Sequence, residues 1–388
     1  EAARDAGVGR IVVVVSPQTR GLLDGVELAV QEEPRGTGDA VARAREPLAD
    51  FAGDVLVLNG DVPALRPETI RRLVETHRRA RAAATVLAFE PADPGAYGRI
   101  VRDGDGRLAR IVEAADASAD ELALREVNSG TYVFQAAKLW PTLERLDAHN
   151  AQGELYLTDT LGLLAAAGEP CAVALAADPF EAEGVNTRVE LAAAAARLRD
   201  RINEAHMLAG VTIVDPGSTW IEVGVEIEPD VVVHPFTVIR SGVRIAAGAE
   251  IGPFAYVRPG SEIGPGAKIG AFVEVKNTSL GRGAKVPHLS YLGDAEVGEG
   301  ANVAAGNITA NFKHAPGLPK QRTKIGRNVR TGVDTVFDAP VEIGDDAWIA
   351  AGSVITDDVP PGSLAGFPPR QTTKEGWVYE KHGKPDRD

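Results

Sequence analysis

Arg258 in "YVRPGSEIG" and Lys276 in "FVEVKN" stand eighteen residues apart. Two cations brought together repel unless an anion lies between them, and arginine and lysine both suit a phosphate. The plain alternative is a solvated pair beside Glu262 and Glu274. His288 follows twelve residues after Lys276, with Tyr291 and Asn302 behind it. An imidazole of ordinary pKa, about 6.5, can take a proton near neutral pH. A lone histidine is nonetheless more often structural than catalytic. In the amino half, Asp61 ends the run "DVLVLNGD", where a carboxylate could hold a divalent cation. The same "NGD" is also good turn chemistry. Cys171, the only cysteine, lies in "PCAVALAA" and reads as core packing, not as a nucleophile.

The elements that must position these groups show in the spacing. Aliphatic residues recur every six positions from Ile227 through Ile251, Val257, Ile263 and Ile269 to Val275. The phase slips and resumes at Leu280, Val286 and Leu292, then at Val297 and Val303. After an interruption near 311–323 it returns at Ile325, Thr331, Phe337, Ile343, Ile349 and Ile355. A period of six fits neither a helix nor a flat strand; an internal repeat of this kind is a solenoid. Three hexapeptides make one coil of triangular section, with the aliphatic residue inward and glycine or small residues at the corners. Eighteen residues are then one coil, which stacks Arg258 and Lys276 on one face. The pattern resembles the left-handed parallel β-helix of hexapeptide-repeat acyltransferases, and the handedness comes from that resemblance.

Upstream, apolar strands alternate with helices from Ile11 to about Val185, which predicts an α/β, Rossmann-like domain over 1–187. "RIVVVVS" and "DVLVLNGD" read as buried parallel strands. "PETIRRLVETHRRARA" reads as a helix with proline at its start. Residues 188–208 are rich in helix formers and read as a linker helix, leaving 209–388 to the solenoid and a tail. The chain carries a formal charge of −14, which argues against nucleic acid or an anionic membrane as partner. No apolar run is long enough to span a bilayer. One cysteine fits a reducing cytoplasm. The opening "EAARDAGVGRIVVVVSP" reads as the end of a helix before a strand, so an N-terminal truncation is expected.

A closer resemblance covers nearly the whole chain. The ordered set "GTGDA", "NGDVP", "AYGRIV", "IVEAADA", "VNSGTY", "NAQGELYLTD" and "EGVNTR", then "VRPG", "FVEVKN", "HLSYLGDAEVG" and "KEGW", is similar to the bifunctional bacterial family in which N-acetylglucosamine-1-phosphate uridylyltransferase is fused to glucosamine-1-phosphate N-acetyltransferase. The resemblance implies acetyl transfer from acetyl-CoA to glucosamine 1-phosphate, with His288 as general base. It implies Arg258, Lys276 and Lys320 on the sugar phosphate and Tyr291 and Asn302 on the sugar. Asn311, Ala351 and Arg370 would lie near acetyl-CoA, with the Ala305 N–H on the oxyanion. In the amino half it implies uridylyl transfer from UTP to N-acetylglucosamine 1-phosphate, with Mg²⁺ on Asp61 and Asn186. Gln31, Gly36 and Thr37 would take the uracil, and Gly98, Glu113 and Asn128 the sugar. It further implies a homotrimer with sites between subunits.

This chain departs from the pattern at Asn311-Phe312-Lys313-His314, at Val333, at Asn59 and around Arg370, mostly at acetyl-CoA contacts. The family's Gly-rich phosphate loop is not among these residues, so little uridylyltransferase activity is expected of the chain as given. Three other readings were open: a nucleotidyltransferase whose solenoid only assembles or regulates it, a non-enzymatic trimeric scaffold, and a metal-dependent hexapeptide enzyme using His234, His288 and His314.

Overall fold

The computed structural model describes residues 2–22, 25–313, 317–366 and 373–382. The chain divides into two compact units, Glu1–Ala194 and Ala195–Asp388. Among the described residues no helix is long and apolar enough to cross a membrane.

The first unit runs α1 (Ala2–Asp5), β1 (Val12–Val15), β2 (Glu27–Val30), α2 (Thr37–Arg43), β3 (Asp54–Val57), α3 (Pro67–Ala80), β4 (Ala84–Phe89), β5 (Arg99–Arg102), β6 (Leu108–Val112), α4 (Ala119–Leu122), β7 (Val127–Gln135), α5 (Ala136–Leu143), α6 (Asp159–Ala166) and β8 (Cys171–Leu175). The main sheet has the order β6-β5-β7-β4-β8, and β3 pairs with β7. Every residue of β4 is buried, as are all but the last of β7. Against this sheet α3 lays Ile70, Leu73 and His77, the stripe that a period of 3.6 places on one face.

Two strand expectations need correction. β3 is half-buried and pairs antiparallel with β7, so "DVLVLNGD" is not a buried parallel strand. β1 is parallel to β2 but mostly half-buried, in a two-stranded sheet of its own. A continuous apolar run signals burial on both faces only where both faces are covered, and strand direction is set by the partner.

The helix α7 (Arg188–Leu208) leads into the second unit. Asn203 is buried and donates from Nδ2 to the carbonyls of Pro216 and Thr219, at 3.0 and 2.9 Å. That pins the helix on the first coil. Beyond it the chain winds a left-handed parallel β-helix with three faces. The first face includes Val232–Val233, Glu250–Ile251, Lys268–Ala271 and Lys285–His288. The second includes Tyr256–Val257, Glu274–Lys276, Tyr291–Gly293 and Val336–Asp338. The third includes Glu262–Ile263, Ser279–Leu280 and Ala295–Val297. Ile251, Val257, Ile269 and Val275 are fully buried in one column-like core. The phase slip is a shorter coil: Ile263 pairs with Leu280 and Val275 with Leu292, seventeen residues on instead of eighteen.

The corner between the first and second faces differs from the expectation of small residues. Phe236, Phe254, Phe272 and Leu289 occupy it in the left-handed region, with φ of 58, 55, 56 and 50°. The phenylalanine rings stack at 4.8 and 4.9 Å between centroids. Each stack contributes about 0.5–1.5 kcal/mol, which offsets backbone strain of about 1–3 kcal/mol at such a residue.

Candidate active sites

In the first unit, Thr37, Asp61, Gly98, Glu113, Asn128 and Asn186 line one cavity of about 210 Å³, together with Asn59, Tyr97, Tyr132 and Thr158. The cavity lies where β3 gives way to its following turn and where β5, β6 and β7 meet. The Val185 N–H donates to the Asp61 carbonyl at 2.9 Å, which lays the Gly184–Asn186 segment alongside Asp61. The Leu157 N–H donates to Thr37 Oγ1 at 3.0 Å. Thr158 donates to Glu113 Oε1 at 2.9 Å. Burial raises the Glu113 carboxyl above the usual range, with Asp159 and Asp116 adding to it and Thr158 opposing. Gly98 sits so close that a Cβ there would stand 3.2 Å from Glu113 Oε2.

Gln31 and Gly36 stand together near α2, outside the lining of that cavity. Gln31 Nε2 donates to the Gly36 carbonyl at 3.2 Å. Gly36 has φ of 105°, and a Cβ would meet the Leu155 carbonyl at 2.6 Å, so only glycine fits. Among the described residues no three His, Cys, Asp or Glu side chains group as a metal site. Asp61 and Asn186 offer two oxygens to one cavity, a set that suits Mg²⁺, which keeps waters and phosphate oxygens as its other ligands. The Asp61 carboxylate makes no ion pair or hydrogen bond among the described residues, so it is available to a cation.

In the β-helix, Val257 pairs with Val275 and the Arg258 N–H donates to the Val275 carbonyl at 2.8 Å. Arg258 and Lys276 therefore stack one coil apart at one edge of the second face. Arg258 Nη1 lies 2.8 Å from Glu274 Oε1. Lys276 is answered on the next coil by Gly293, which has no side chain to fill the step. Tyr291 OH and Asn311 Nδ2 occupy that space, 2.3 and 2.6 Å from where a Cβ would be. Lys320 reaches in from the loop after Asn311. Its ammonium, at hydrogen-bond reach, holds Lys276 below the usual lysine range, helped by partial burial and Arg258 and opposed by Asp294. Asp294 accepts from Asn277 at 2.6 Å and from Asn311 at 2.5 Å. Burial alone would raise Asp294, but these two donors and the two lysines outweigh it and hold it low.

His288 is elsewhere in the single chain. Twelve residues are two hexapeptides, two thirds of a coil, and His288 ends a strand of the first face, where its Cα pairs with that of Ala271. Its ring is exposed and has no side-chain partner among the described residues. Lys285 pairs with Asn302, Asn302 with Arg330 and Arg330 with Trp348. Three residues on, the same register stacks His288, Ala305, Val333 and Ala351 in one column beside the Phe254 corner. The Ala305 N–H donates to no group among the described residues, while its carbonyl accepts from the Asp334 N–H at 2.9 Å. The structure thus makes two groups within one chain. Arg258, Lys276, Tyr291, Asn311 and Lys320 form one; His288, Ala305 and Ala351 form the other, with Asn302 on the same face. Asn311 and Ala351, both expected near acetyl-CoA, fall in different groups within one chain, Asn311 in the first. Arg370 and His314 lie outside the described residues.

Asp294, Asn277 and Thr158 were missed by sequence reasoning. Asp294 takes φ of 53°, where aspartate is tolerated, so "LGD" signals a turn but not its four charged or amide neighbours. Cys171 is half-buried on β8, and burial pushes its thiol up to about 11, far from a reactive thiolate.

Comparison with known proteins agrees with both halves. The nucleotidyl transferase family model matches residues 14–224, and the bacterial transferase hexapeptide model matches residues 224–258 and 242–277. A bifunctional protein GlmU of Corynebacterium aurimucosum is 46% identical over 92% of this chain and 79% of that protein. Those of Corynebacterium diphtheriae and Mycobacterium avium are 45% and 44% identical over 94% and 92% of this chain. With both unit types in the same order and such identity along the length, the chain belongs to the GlmU family of bifunctional transferases.

Proposed function

We propose that the β-helix unit transfers the acetyl group of acetyl-CoA to the amine of glucosamine 1-phosphate, and that the first unit provides the base-, sugar- and metal-binding part of the reaction that joins N-acetylglucosamine 1-phosphate to UTP, giving UDP-N-acetylglucosamine and pyrophosphate. The observation that carries the first reaction is the pressing of Lys276 against Lys320, with Arg258 one coil away. Three cations that share only the carboxylates of Asp294 and Glu274 favour a dianion such as a sugar phosphate among them. His288 takes a proton from the amine as it attacks the thioester carbonyl, and the Ala305 N–H, one coil from His288, receives the developing oxyanion. The CoA thiolate leaves and the proton follows it.

One chain holds the anion group and the histidine column on different faces, so the complete site forms between subunits of a homotrimer. The exposed corner of Phe236, Phe254, Phe272 and Leu289 supports such an assembly. In the first unit, Asp61 and Asn186 would hold Mg²⁺, which when bound neutralises phosphate charge. Asn128, Gly98 and Glu113 orient the sugar, and Thr37 with the Gln31–Gly36 pair receives the uracil. The substrates are small molecules, neither nucleic acid nor membrane, and the cytoplasm supplies them. The test is acetyl-CoA-dependent thiol release with glucosamine 1-phosphate; no release from the intact chain would overturn the acetyltransferase reading.

A further inference from the structure

Gln31 follows β2 and donates from Nε2 to two acceptors, Asp39 Oδ2 at 2.8 Å and the Gly36 carbonyl at 3.2 Å. Asp39 is buried in the first turn of α2, and its other oxygen accepts from Arg43 Nη2 at 2.5 Å. A carboxylate and a carbonyl can only accept. The orientation of the Gln31 amide therefore follows from its neighbours. Both N–H bonds turn toward Asp39 and Gly36, and Oε1, without a partner among the described residues, is the polar atom left for a ligand. Burial would raise Asp39, but Arg43 and Gln31 outweigh it, so the group stays ionised at neutral pH.

We propose that Asp39 is a positioning residue that sets base selectivity: it holds Gln31 as a pure acceptor, matched to the N3–H of uracil and mismatched to the N3 lone pair of cytosine. This rests on the reading of Gln31 as a base-contacting residue of the uridylyl site. Two acceptors facing each other at one contact give roughly a 10- to 100-fold preference for the uridine ligand. Asp39→Asn inverts the arrangement. Arg43 keeps the one remaining oxygen, the new amide N–H₂ faces Gln31, and Gln31 can turn over and present Nε2 instead, giving up only its longer bond to the Gly36 carbonyl.

The test is calorimetric titration of the full chain with UDP-N-acetylglucosamine and CDP-N-acetylglucosamine, alongside proton exchange of the Gln31 side-chain amide by NMR. Expected are tighter binding of the uridine ligand by at least about tenfold, slow exchange of the Gln31 amide protons, and a collapse of the ratio to within about threefold in Asp39→Asn. Retention of the full ratio in Asp39→Asn overturns the inference alone. Fast exchange of the Gln31 amide in the unmutated chain also overturns it, and needs no variant to fold. Binding of neither ligand by the unmutated chain overturns the reading of Gln31 as a base-contacting residue, and the inference falls with it.

Discussion

At the scale of single residues, His288 is the sharpest test of the acetyltransferase reading. Its ring is exposed and has no side-chain partner among the described residues, so His288→Ala removes a proton acceptor without touching the core. The expected outcome is a fall in acetylation rate of about 10²- to 10⁴-fold with an unchanged melting temperature. Lys276→Ala acts differently. It removes a charge-assisted contact to the phosphate, so KM for glucosamine 1-phosphate rises roughly 10- to 100-fold in initial-rate measurements. A fall in kcat with KM unmoved would contradict the phosphate role. The one-coil spacing of Arg258 and Lys276 was legible in the sequence, because a solenoid converts eighteen residues into one step. Lys320 carried no such signal: it lies beyond an insertion, and insertions break the register that makes the count meaningful. His288 sat at a whole number of hexapeptides from Lys276, but two hexapeptides move the chain to another face, so its separation from the cations follows from the fold's own arithmetic.

At the scale of elements, the coils tolerate no side chain where they close on one another. A Cβ at Gly270 would meet the Pro287 carbonyl at 1.9 Å, directly before His288. Gly270→Ala is expected to destabilise the β-helix by at least about 1–3 kcal/mol, read as a lower melting temperature, and to lower acetylation by displacing His288. The helix α3 gives a pH dependence. His77 is buried, its Nδ1 is 2.9 Å from Thr85 Oγ1, and burial lowers its pKa, with Asp54 opposing. The unfolded chain, with a histidine pKa of about 6.5, then binds the proton more readily than the folded one. Stability contributed by the neutral ring is present above about pH 6.5 and is lost as pH falls below that value. Calorimetry between pH 7.5 and 5.5 should show the first unit melting earlier in acid, and His77→Gln should flatten that slope. The helix stripe and the hexapeptide repeat were readable because their periods are regular. The direction of β3 was not, since a four-residue apolar run looks the same beside a parallel or an antiparallel partner.

For the whole molecule, the open question of assembly has a direct measurement. Phe254→Glu places a carboxylate in the middle of the exposed phenylalanine stack. If the proposed homotrimer packs through this corner, sedimentation should show trimers for the unmutated chain and monomers for the variant, and acetylation should vanish although Arg258, Lys276 and His288 are all present. A trimer that survives the change would place the subunit contact elsewhere. Neighbouring coils touch only one another, and every group assigned to acetyl transfer lies from Arg258 onward. Excising a whole eighteen-residue winding near Val225 should therefore shorten the prism by one storey and leave its chemistry where it was, so the length of this half is open to change by selection independently of its catalysis.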